Sequence, residues 1–383
     1  MRIALLWQTR DFGLYSNSDF DALYKGVGHN NGNLAFVHAI ANQLEGEITY
    51  FPWHARPEII ATNADIVVIP CANQIGGHTD LGSAAERLTK VGKPIVAIGL
   101  GVQNEDQKSD VVVKEGTLNW AKTLAAHAAG SSPNIATRGQ YSTDQLTRLG
   151  VENTLPFGCP SFLTNQRPAL GERIYKNWTS KPLPRSISVA GGHQAWGYTR
   201  HIEHALISLM MDPAAPGQYV VQSMSDMVKI SRCEFDTIEP DALKKIHDHT
   251  VPHYTRDEFF AWCRNYARSF YDVPAWMDTL RNHDLSVGCR YHGVALALQA
   301  ERMGLTITID SRTEELCQNT AVPFLRAREL TSTITRKSLK DAIRFDPVAY
   351  DKKRAESAKR YAAFLEGNGL RPKRFIYEIA ESH

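Results

Sequence analysis

The stretch SVGCRYHGVALAL places Arg290 and His292 two residues apart, between an apolar run and a helical pattern. A guanidinium at the end of a strand can form two parallel hydrogen bonds to a carboxylate or phosphate. A histidine can gain or lose a proton near neutral pH, and Gly293 allows a tight turn into the helix. The pattern indicates either an anion site with a proton donor, or a histidine that caps the helix beside an arginine that braces the strand.

Two more arginines follow apolar runs of strand length. Arg138 comes directly after NIAT, with Ser142 placed to begin the next helix, and Arg312 follows TITID, two residues after Asp310. In a parallel sheet the carboxyl ends of the strands lie along one edge, where helix N-termini attract anions. We therefore expect these arginines and Arg290 to face a shared cleft. The structural alternative for Arg138 is a helix cap or a surface ion pair.

Polar loops add further candidates. In GVGHNNGNLAF, glycines surround Asn30 and Asn33 before a helical pattern, so this loop either approaches a ligand closely or forms a turn and a helix N-cap. The glycines of IGLGVQN allow the same two interpretations, and the structural one is favoured. In AGGHQAWGYTRH, His193 and Trp196 follow a predicted strand and are candidates for an acceptor pocket.

These residues must be positioned by an alternation of short apolar strands and amphipathic helices, which is typical of parallel sheets covered on both faces. Residues 1–165 are predicted to form one α/β domain and residues 185–340 a second, joined by a proline-rich linker at 165–185. An aromatic stretch at about 238–282 is predicted to be a helical insertion in the second domain. Residues 341–383 are predicted to be helical and to pack at the domain junction.

Composition excludes several classes of protein. The formal net charge of +2 provides no global field for nucleic acid, so any anion site must be local. The six cysteines include no CxxC pair and the histidines lack a metal-ligand spacing, so neither a disulfide framework nor a metal site is predicted. No apolar run approaches the ~20 residues that span a bilayer, and no signal-peptide pattern is found. We expect a soluble, cytoplasmic protein with at most peripheral association with the inner face of the membrane.

The order of these motifs resembles the polysaccharide pyruvyl transferase family. The resemblance covers most of residues 20–320, and its most specific part is the RxHG step followed by the strand ITID. This chain departs from the usual family pattern at Cys159, where many members have the aspartate of Asp-Pro, and at Arg312, where lysine is more usual. The matching residues are Gly28, Asn30, Gly32 and Asn33, the segment from Arg138 to Val151, and Arg290, His292, Gly293 and Asp310.

The resemblance implies two Rossmann-like domains that face each other across a cleft, as in GT-B glycosyltransferases. It also implies transfer of a pyruvyl group from phosphoenolpyruvate to two hydroxyls of a sugar, usually in a polymeric or lipid-linked glycan. It associates Arg138, His292 and Arg312 with the donor, and it implies no cofactor besides this donor substrate.

The residues suit such chemistry. Phosphoenolpyruvate carries a carboxylate and a phosphate, so its site needs several cations, which Arg138, Arg290 and Arg312 would supply. His292, charged beside an anionic ligand, would protonate the methylene carbon as a general acid. This scheme requires no metal. The further candidates for donor binding are Asn30, Asn33 and Gly293.

Two other interpretations stay open from the sequence. A nucleotide-sugar glycosyltransferase would use the same architecture, since a fold does not fix a function. A non-catalytic glycan-binding protein would keep aromatic surfaces, but it has no reason to keep three arginines and a histidine at strand ends.

Overall fold

The structure, a computed structural model, describes residues 1–7, 19–104, 107, 109–330 and 333–382. The strands are β1 (Arg2–Leu6), β2 (Leu44–Glu45), β3 (Glu47–Phe51), β4 (Ile66–Pro70), β5 (Ile95–Leu100), β6 (Ile135–Thr137), β7 (Thr154–Pro156), β8 (Ile187–Ala190), β9 (Gln218–Val220), β10 (Ala267–Arg268), β11 (Leu285–Gly288), β12 (Met303–Thr308), β13 (Phe324–Arg326) and β14 (Arg371–Pro372).

The helices are α1 (Phe20–Gly26), α2 (Asn33–Gln43), α3 (Pro57–Asn63), α4 (Gly82–Val91), α5 (Glu115–Ala126), α6 (Gln140–Arg148), α7 (Leu170–Thr179), α8 (Arg200–Met210), α9 (Ser225–Ser231), α10 (Pro240–Thr250), α11 (Arg256–Tyr266), α12 (Val273–Leu280), α13 (Tyr291–Gln299), α14 (Ser311–Thr320), α15 (Arg336–Ala342), α16 (Pro347–Gly367) and α17 (Arg374–Ala380).

The first sheet is parallel and has the spatial order β3-β1-β4-β5-β6-β7. Its central strands β4 and β5 are buried along their whole length, because helices cover both faces. The sequence shows this as the uninterrupted apolar runs IVVIP and IVAIGL. The order reverses between β1 and β4, where ligands bind in sheets of this kind.

The second sheet is also parallel, with the order β10-β9-β8-β11-β12-β13, which is the Rossmann order. Its order reverses between β8 and β11, and these strands lead directly to His193 and Arg290. The stretch 238–282 is mainly helical, as predicted, but it also contributes the edge strand β10. A strand of two residues is too short to show an apolar period, so the sequence did not reveal it.

The two sheets enclose a cleft of about 730 Å³. Residues of the first domain, such as Gly77 and Gln103, line one side, and residues of the second domain, such as His193 and Arg290, line the other. The prediction of two Rossmann-like domains facing across a cleft, in a GT-B-like arrangement, is confirmed.

An N-terminal segment crosses to the second domain. Phe20 and Leu23 of α1 and Leu34 of α2 pack in one apolar cluster with Trp276 and Leu296 of the second domain. This cluster holds the loop between α1 and α2 against the end of β9. The glycine-rich loop is therefore held against the second domain, where the Asn31 N–H donates to the Gln222 backbone carbonyl at 2.9 Å.

The C-terminal helix α16 contacts both halves of the molecule. The Lys353 ammonium donates to the Gln318 carbonyl at 2.8 Å, and the Asn368 amide just after α16 donates to the Pro133 carbonyl at 2.8 Å. The buried Arg354 guanidinium donates to carbonyls that include those of Asn165 and Arg167, at 2.5 and 2.7 Å. The chain then returns to the first domain, where β14 pairs with β2.

Part of the stretch predicted as a linker is ordered. Within residues 165–185, α7 buries Leu170, Ile174 and Trp178 against the rest of the protein and packs along α16. These residues have the spacing i, i+4, i+8 of a helix face. The prolines and charges around them concealed this short amphipathic period.

None of the helices in the described parts of the chain combines the length and the apolar character needed to cross a bilayer. Five of the six cysteines are buried, and Cys233 is exposed.

Candidate active site

Two connected cavities lie at the carboxyl edges of the sheets. We call the larger one the outer cleft and the smaller one the inner pocket. Arg290 and Arg312 line both, so the two cavities meet at these guanidiniums. The other residues of the inner pocket are Asn30, Asn33, Asn73, Arg138, Gln222, Cys289, Tyr291, His292, Thr313 and Leu316. The other residues of the outer cleft are Gly77, His78, Gln103, Asn104, His193, Trp196, Tyr198, Ser223, Ile309, Asp310 and Arg328.

Arg138 is buried directly after β6. Its backbone N–H donates to the Leu100 carbonyl at 2.9 Å and its Nε to the Gly99 carbonyl at 3.2 Å. A Cβ at Gly101 would lie 2.5 Å from the Arg138 Cδ, so this glycine makes room for the arginine. Burial, and then the positive charge of Arg312, lower the pKa of Arg138 to about 10. The side chain is thus held rigidly at the pocket with less stabilisation of its charge than water provides.

Arg290 occupies the N-cap position of α13, at the point where the order of the second sheet reverses. Its guanidinium lies over the Trp196 ring, 4.4 Å from the centroid, and donates to the Ser223 hydroxyl. Its Nε is buried and has no partner among the described residues. Burial, and then Arg312, lower the pKa of Arg290 to about 10. Arg290 therefore points into the site and does not brace the strand.

Arg312 lies in the first turn of α14 and pairs with the Asp310 carboxylate at 3.1 Å. Its charge acts on both Arg138 and Arg290. Arg312 therefore repels both buried guanidiniums, while its own guanidinium is paired with the Asp310 carboxylate. An anion bound between them would relieve this repulsion, so the arrangement favours an anionic ligand.

His292 lies in the first turn of α13 and is buried. Its ring packs against Phe36, with 5.6 Å between centroids, and its Nε2 lies 3.5 Å from the Cys159 Sγ. Burial, and then the charges of Arg138 and Arg312, lower the pKa of His292 to about 3. The imidazole is therefore neutral near neutral pH while the pocket is empty. A bound anion would offset the arginine charges and raise this pKa.

The loop residues predicted to bind the donor are partly structural. The Asn33 amide donates to the carbonyls of Val27 and Gly28 at 3.1 and 3.3 Å, and the Asn30 Oδ1 accepts from the Gly32 N–H at 2.9 Å. Both asparagines nevertheless line the inner pocket. The interpretation as a turn is therefore confirmed, and contact of Asn30 and Asn33 with a donor stays a prediction.

Gly293 has a packing role. A Cβ there would lie 2.7 Å from the Gln222 Nε2 and 2.9 Å from the Ala190 Cβ. Because glycine has no Cβ, α13 can approach β8, and the Gln222 amide can occupy the space beside it. Gly293 is not among the residues that line either cavity, and its predicted role in donor binding stays a prediction.

His193 and Trp196, the candidates for an acceptor pocket, lie in the outer cleft. Their rings are 4.1 Å apart between centroids, and Trp196 also carries the Arg290 guanidinium. The His193 Nδ1 accepts a hydrogen bond from the Ala195 N–H at 3.2 Å. Burial, followed by the charge of Arg290, lowers the pKa of His193 to about 3. These two residues are therefore separate from the inner pocket but joined to it through Arg290.

Gln222 is a pocket residue that the sequence did not single out. It follows β9, is 3% exposed, and its Nε2 has no partner among the described residues. Its carbonyl accepts from the Asn31 N–H at 2.9 Å, which ties the second domain to the glycine-rich loop. Its position just after the buried strand β9 could have identified Gln222 from the sequence, because the arginines were identified by the same position after a strand.

The start of α6 is already occupied by a carboxylate. Glu315 of α14 accepts from the Ser142 N–H at 2.9 Å and from the Ser142 hydroxyl at 2.6 Å. Burial raises the pKa of Glu315. This contact joins the two domains, and it directs an anionic ligand to the arginines instead of to this helix N-terminus.

Buried neutral histidines predict a pH-dependent stability. Burial is the largest cause that lowers the pKa of His249 to about 4, and neither of its ring nitrogens has a partner among the described residues. The unfolded chain binds a proton at a pKa of about 6.5, so stability is lost as the pH falls below that value toward the folded pKa. We expect protonation of this histidine in the unfolded chain to lower the free energy of unfolding by about 2 kcal/mol at about pH 5, relative to neutral pH.

The measurement is the thermal unfolding midpoint at about pH 7 and about pH 5. His249→Met should reduce the difference between the two midpoints, and His54→Gln, at an exposed histidine, should leave it unchanged. An equal pH dependence in wild type and His249→Met would contradict the expectation.

The fold and the site together define the class: a two-domain α/β protein whose cleft suits a small anionic ligand beside a larger one. The family model described as polysaccharide pyruvyl transferase matches residues 8–311. The chain belongs to the polysaccharide pyruvyl transferase family and is a transferase, which confirms the assignment from its motifs. Among the described residues, no three His, Cys, Asp or Glu side chains form a group that could hold a metal ion.

Similarity to solved structures is distant. The UDP-GlcNAc 2-epimerase of Methanocaldococcus jannaschii, solved with UDP-GlcNAc and UDP, is 10% identical with a TM-score of 0.45, covering 94% of this chain and 100% of the other. HepE of Anabaena, solved with UDP-glucose, is 13% identical with a TM-score of 0.45, covering 100% of both chains. MurG of Acinetobacter baumannii is 8% identical with a TM-score of 0.35, covering 99% and 98%. No curated protein sequence matches the chain.

Proposed function

We propose that this protein transfers a pyruvyl group from phosphoenolpyruvate to two hydroxyls of a sugar in a polysaccharide, forming a ketal. The observation that carries the proposal is the convergence of Arg138, Arg290 and Arg312 around the buried His292 in the inner pocket. Family membership supports pyruvyl transfer in polysaccharide synthesis in general. The choice of donor and the roles of these residues are inferred from their chemistry.

The charges at the inner pocket suit the donor, because phosphoenolpyruvate carries a carboxylate and a phosphate. The pocket measures about 40 Å³, so a bound donor would extend past Arg290 and Arg312 into the outer cleft. Arg138 comes from the first domain, and Arg290 and Arg312 come from the second. Guanidiniums bind both kinds of oxyanion through paired hydrogen bonds. The phosphate that leaves keeps its charge, so the same arginines stabilise it during departure.

His292 supplies the proton in this proposal. Binding of the donor anion offsets the charge of Arg138 and Arg312 and lets the imidazole take up a proton. The proton then forms a C–H bond at the methylene carbon as the C=C π bond opens. A sugar hydroxyl adds to the adjacent carbon, the C–O bond to phosphate breaks with its electron pair leaving on the phosphate, and a second hydroxyl closes the ketal. One hydroxyl proton restores the acid, and the other leaves with the phosphate.

The outer cleft suits the acceptor. It is open to the inner pocket at Arg290 and Arg312, and it carries the aromatic side chains of Trp196 and Tyr198. Tyr198 is 52% exposed, so its ring is available to a ligand. Aromatic rings pack well against the apolar faces of sugars while hydroxyls bind to the polar side chains around them.

A thermal-shift experiment tests the choice of donor. Phosphoenolpyruvate is expected to raise the unfolding midpoint of the full-length protein, because a ligand that binds the folded state stabilises it. UDP-glucose and UDP-GlcNAc are expected to have little effect at the same concentration. Stabilisation by a nucleotide sugar without any by phosphoenolpyruvate would support a nucleotide-sugar glycosyltransferase instead.

Gln222 provides a test of the donor site at a residue that no motif marks. Gln222→Leu removes an amide that lines the inner pocket and whose Nε2 has no partner within the described parts of the chain. We expect the KM for phosphoenolpyruvate to rise about tenfold, as for the loss of one hydrogen bond to a charged group. Gln222→Glu should raise it further, because it adds a negative charge beside the anion.

The control for these variants is Gln318→Leu at an exposed position of α14. It should leave the KM for phosphoenolpyruvate unchanged. If the Gln222 variants behave like this control, the amide does not contact the donor.

A further inference from the structure

Cys159 lies against the imidazole that the proposed function uses as an acid. Its Sγ is 3.5 Å from the His292 Nε2 and 3.0 Å from the Ser161 hydroxyl. All three side chains are buried. The loop that carries Cys159 is fixed, because the Gly158 N–H donates to the Thr137 carbonyl at 3.0 Å.

The two nitrogens of His292 face different surroundings. Nε2 faces the thiol, whereas Nδ1 faces the glycine-rich loop. A Cβ on Gly32 would lie 3.3 Å from Nδ1, 3.0 Å from the Asn30 Oδ1 and 2.6 Å from the Gln222 Oε1. Asn30, Gln222 and His292 all line the inner pocket. Because Gly32 has no side chain, Nδ1 stays accessible from the inner pocket, where the donor would bind.

We propose that Cys159 is a positioning residue, which holds His292 through a thiol hydrogen bond at Nε2 so that Nδ1–H faces the inner pocket. The orientation of His292 is inferred from its contact with Cys159, and the effect on catalysis rests on the proposed function. A thiol can donate and accept. It donates to Nε2 when the imidazole is neutral, and it accepts from Nε2–H when the imidazole is charged, with its own S–H then turned to the Ser161 hydroxyl.

Because the Cys159 thiol is neutral, it does not stabilise a proton on His292. The charged groups that act on His292 are Arg138 and Arg312, and both disfavour its charged form. Burial raises the pKa of Cys159 and of Tyr291, so these neighbours are neutral. A carboxylate at position 159 would instead stabilise the imidazolium in an empty pocket. With a cysteine there, His292 takes up its proton only when the donor anion arrives.

The first test needs no donor. Nuclear magnetic resonance of the full-length protein with isotope-labelled histidine reports which ring nitrogen carries the proton, and His292→Gln assigns the signal. We expect the Nδ1–H tautomer in wild type and in Cys159→Ser, which keeps the hydrogen bond. We expect a mixture of tautomers in Cys159→Ala. An Nε2–H tautomer in wild type, or an unchanged signal in Cys159→Ala, overturns the proposal.

The second test measures proton uptake by calorimetry of phosphoenolpyruvate binding in two buffers of different ionisation enthalpy. Wild type and Cys159→Ser should take up about one proton per donor bound, since binding and protonation are linked. Cys159→Asp should take up less than half of that amount, because its His292 is already charged. Equal uptake in Cys159→Asp and wild type overturns the proposed coupling. If wild type does not bind phosphoenolpyruvate, the proposed function fails, and the resonance experiment still decides the role of Cys159.

Discussion

Replacing His292 with glutamine is expected to lower kcat for pyruvyl transfer by about a thousandfold, in the range observed for loss of a general acid. Glutamine keeps a polar side chain of similar length but cannot carry the transferable proton. The Kd for phosphoenolpyruvate should change much less, because the arginines that bind the anion remain. The measurements are the rate of label transfer from phosphoenolpyruvate and the binding isotherm of the same variant.

The matched control is His283→Gln, since His283 is another buried histidine whose pKa burial lowers to about 4. It lies just after α12 and bonds to the Ser186 hydroxyl, outside both cavities. This variant should retain the kcat of wild type. A His292→Gln variant with a kcat within tenfold of wild type would remove the histidine from the proton-transfer step.

The second large effect is expected for Arg138→Gln, which should raise the Kd for phosphoenolpyruvate about a hundredfold. The variant removes a buried guanidinium whose Nε donates to the Gly99 carbonyl, and a hydrogen bond to a charged group contributes up to about 3 kcal/mol. Arg138→Lys, which keeps the charge but loses the planar fork, should fall between wild type and Arg138→Gln. Calorimetry of donor binding measures all three.

Arg148→Gln is the control for this series, because Arg148 lies on α6 close in sequence but is 62% exposed in its side chain. It should bind phosphoenolpyruvate as wild type does. Removing Arg138 also relieves repulsion from Arg312, so the unliganded variant should unfold at a temperature no lower than wild type. Unchanged donor affinity in Arg138→Gln would mean that the anion binds elsewhere.

The sequence was sufficient to locate Arg138, Arg290 and Arg312, because each follows a buried parallel strand. The carboxyl ends of parallel strands share an edge, so residues far apart in sequence converge there. The two Rossmann-like domains followed from the same alternation of strands and helices. The RxHG step added the histidine, and its family resemblance added a function that periodicity alone does not provide.

The rest of the site depends on packing that no local pattern encodes. The contact between Cys159 and His292 joins a loop to the first turn of α13, 133 residues further along the chain. The neutral state of His292 results from burial together with charges from both domains. Likewise, the glycine-rich loop became a pocket wall because α1 and α2 pack against the second domain. Such effects require the three-dimensional structure.

The charges of the arginines connect anion binding with the protonation state of His292. Burial, together with the charges of Arg138 and Arg312, disfavours a proton on His292, and a bound anion would offset the two charges. Under the proposed function, proton uptake by His292 and donor binding are thermodynamically linked. In the proposed mechanism, His292 would become charged only when the molecule that it protonates is bound.

The most direct test of the central claim follows the pyruvyl group itself. The protein is incubated with phosphoenolpyruvate carrying heavy carbon and with a panel of sugars and glycans that have free hydroxyl pairs, and the products are examined by mass spectrometry. The account predicts labelled sugar bearing a pyruvyl ketal, release of an equal amount of inorganic phosphate, and no labelled sugar with His292→Gln. Transfer of a sugar from a nucleotide sugar, with no label on any acceptor, would contradict it.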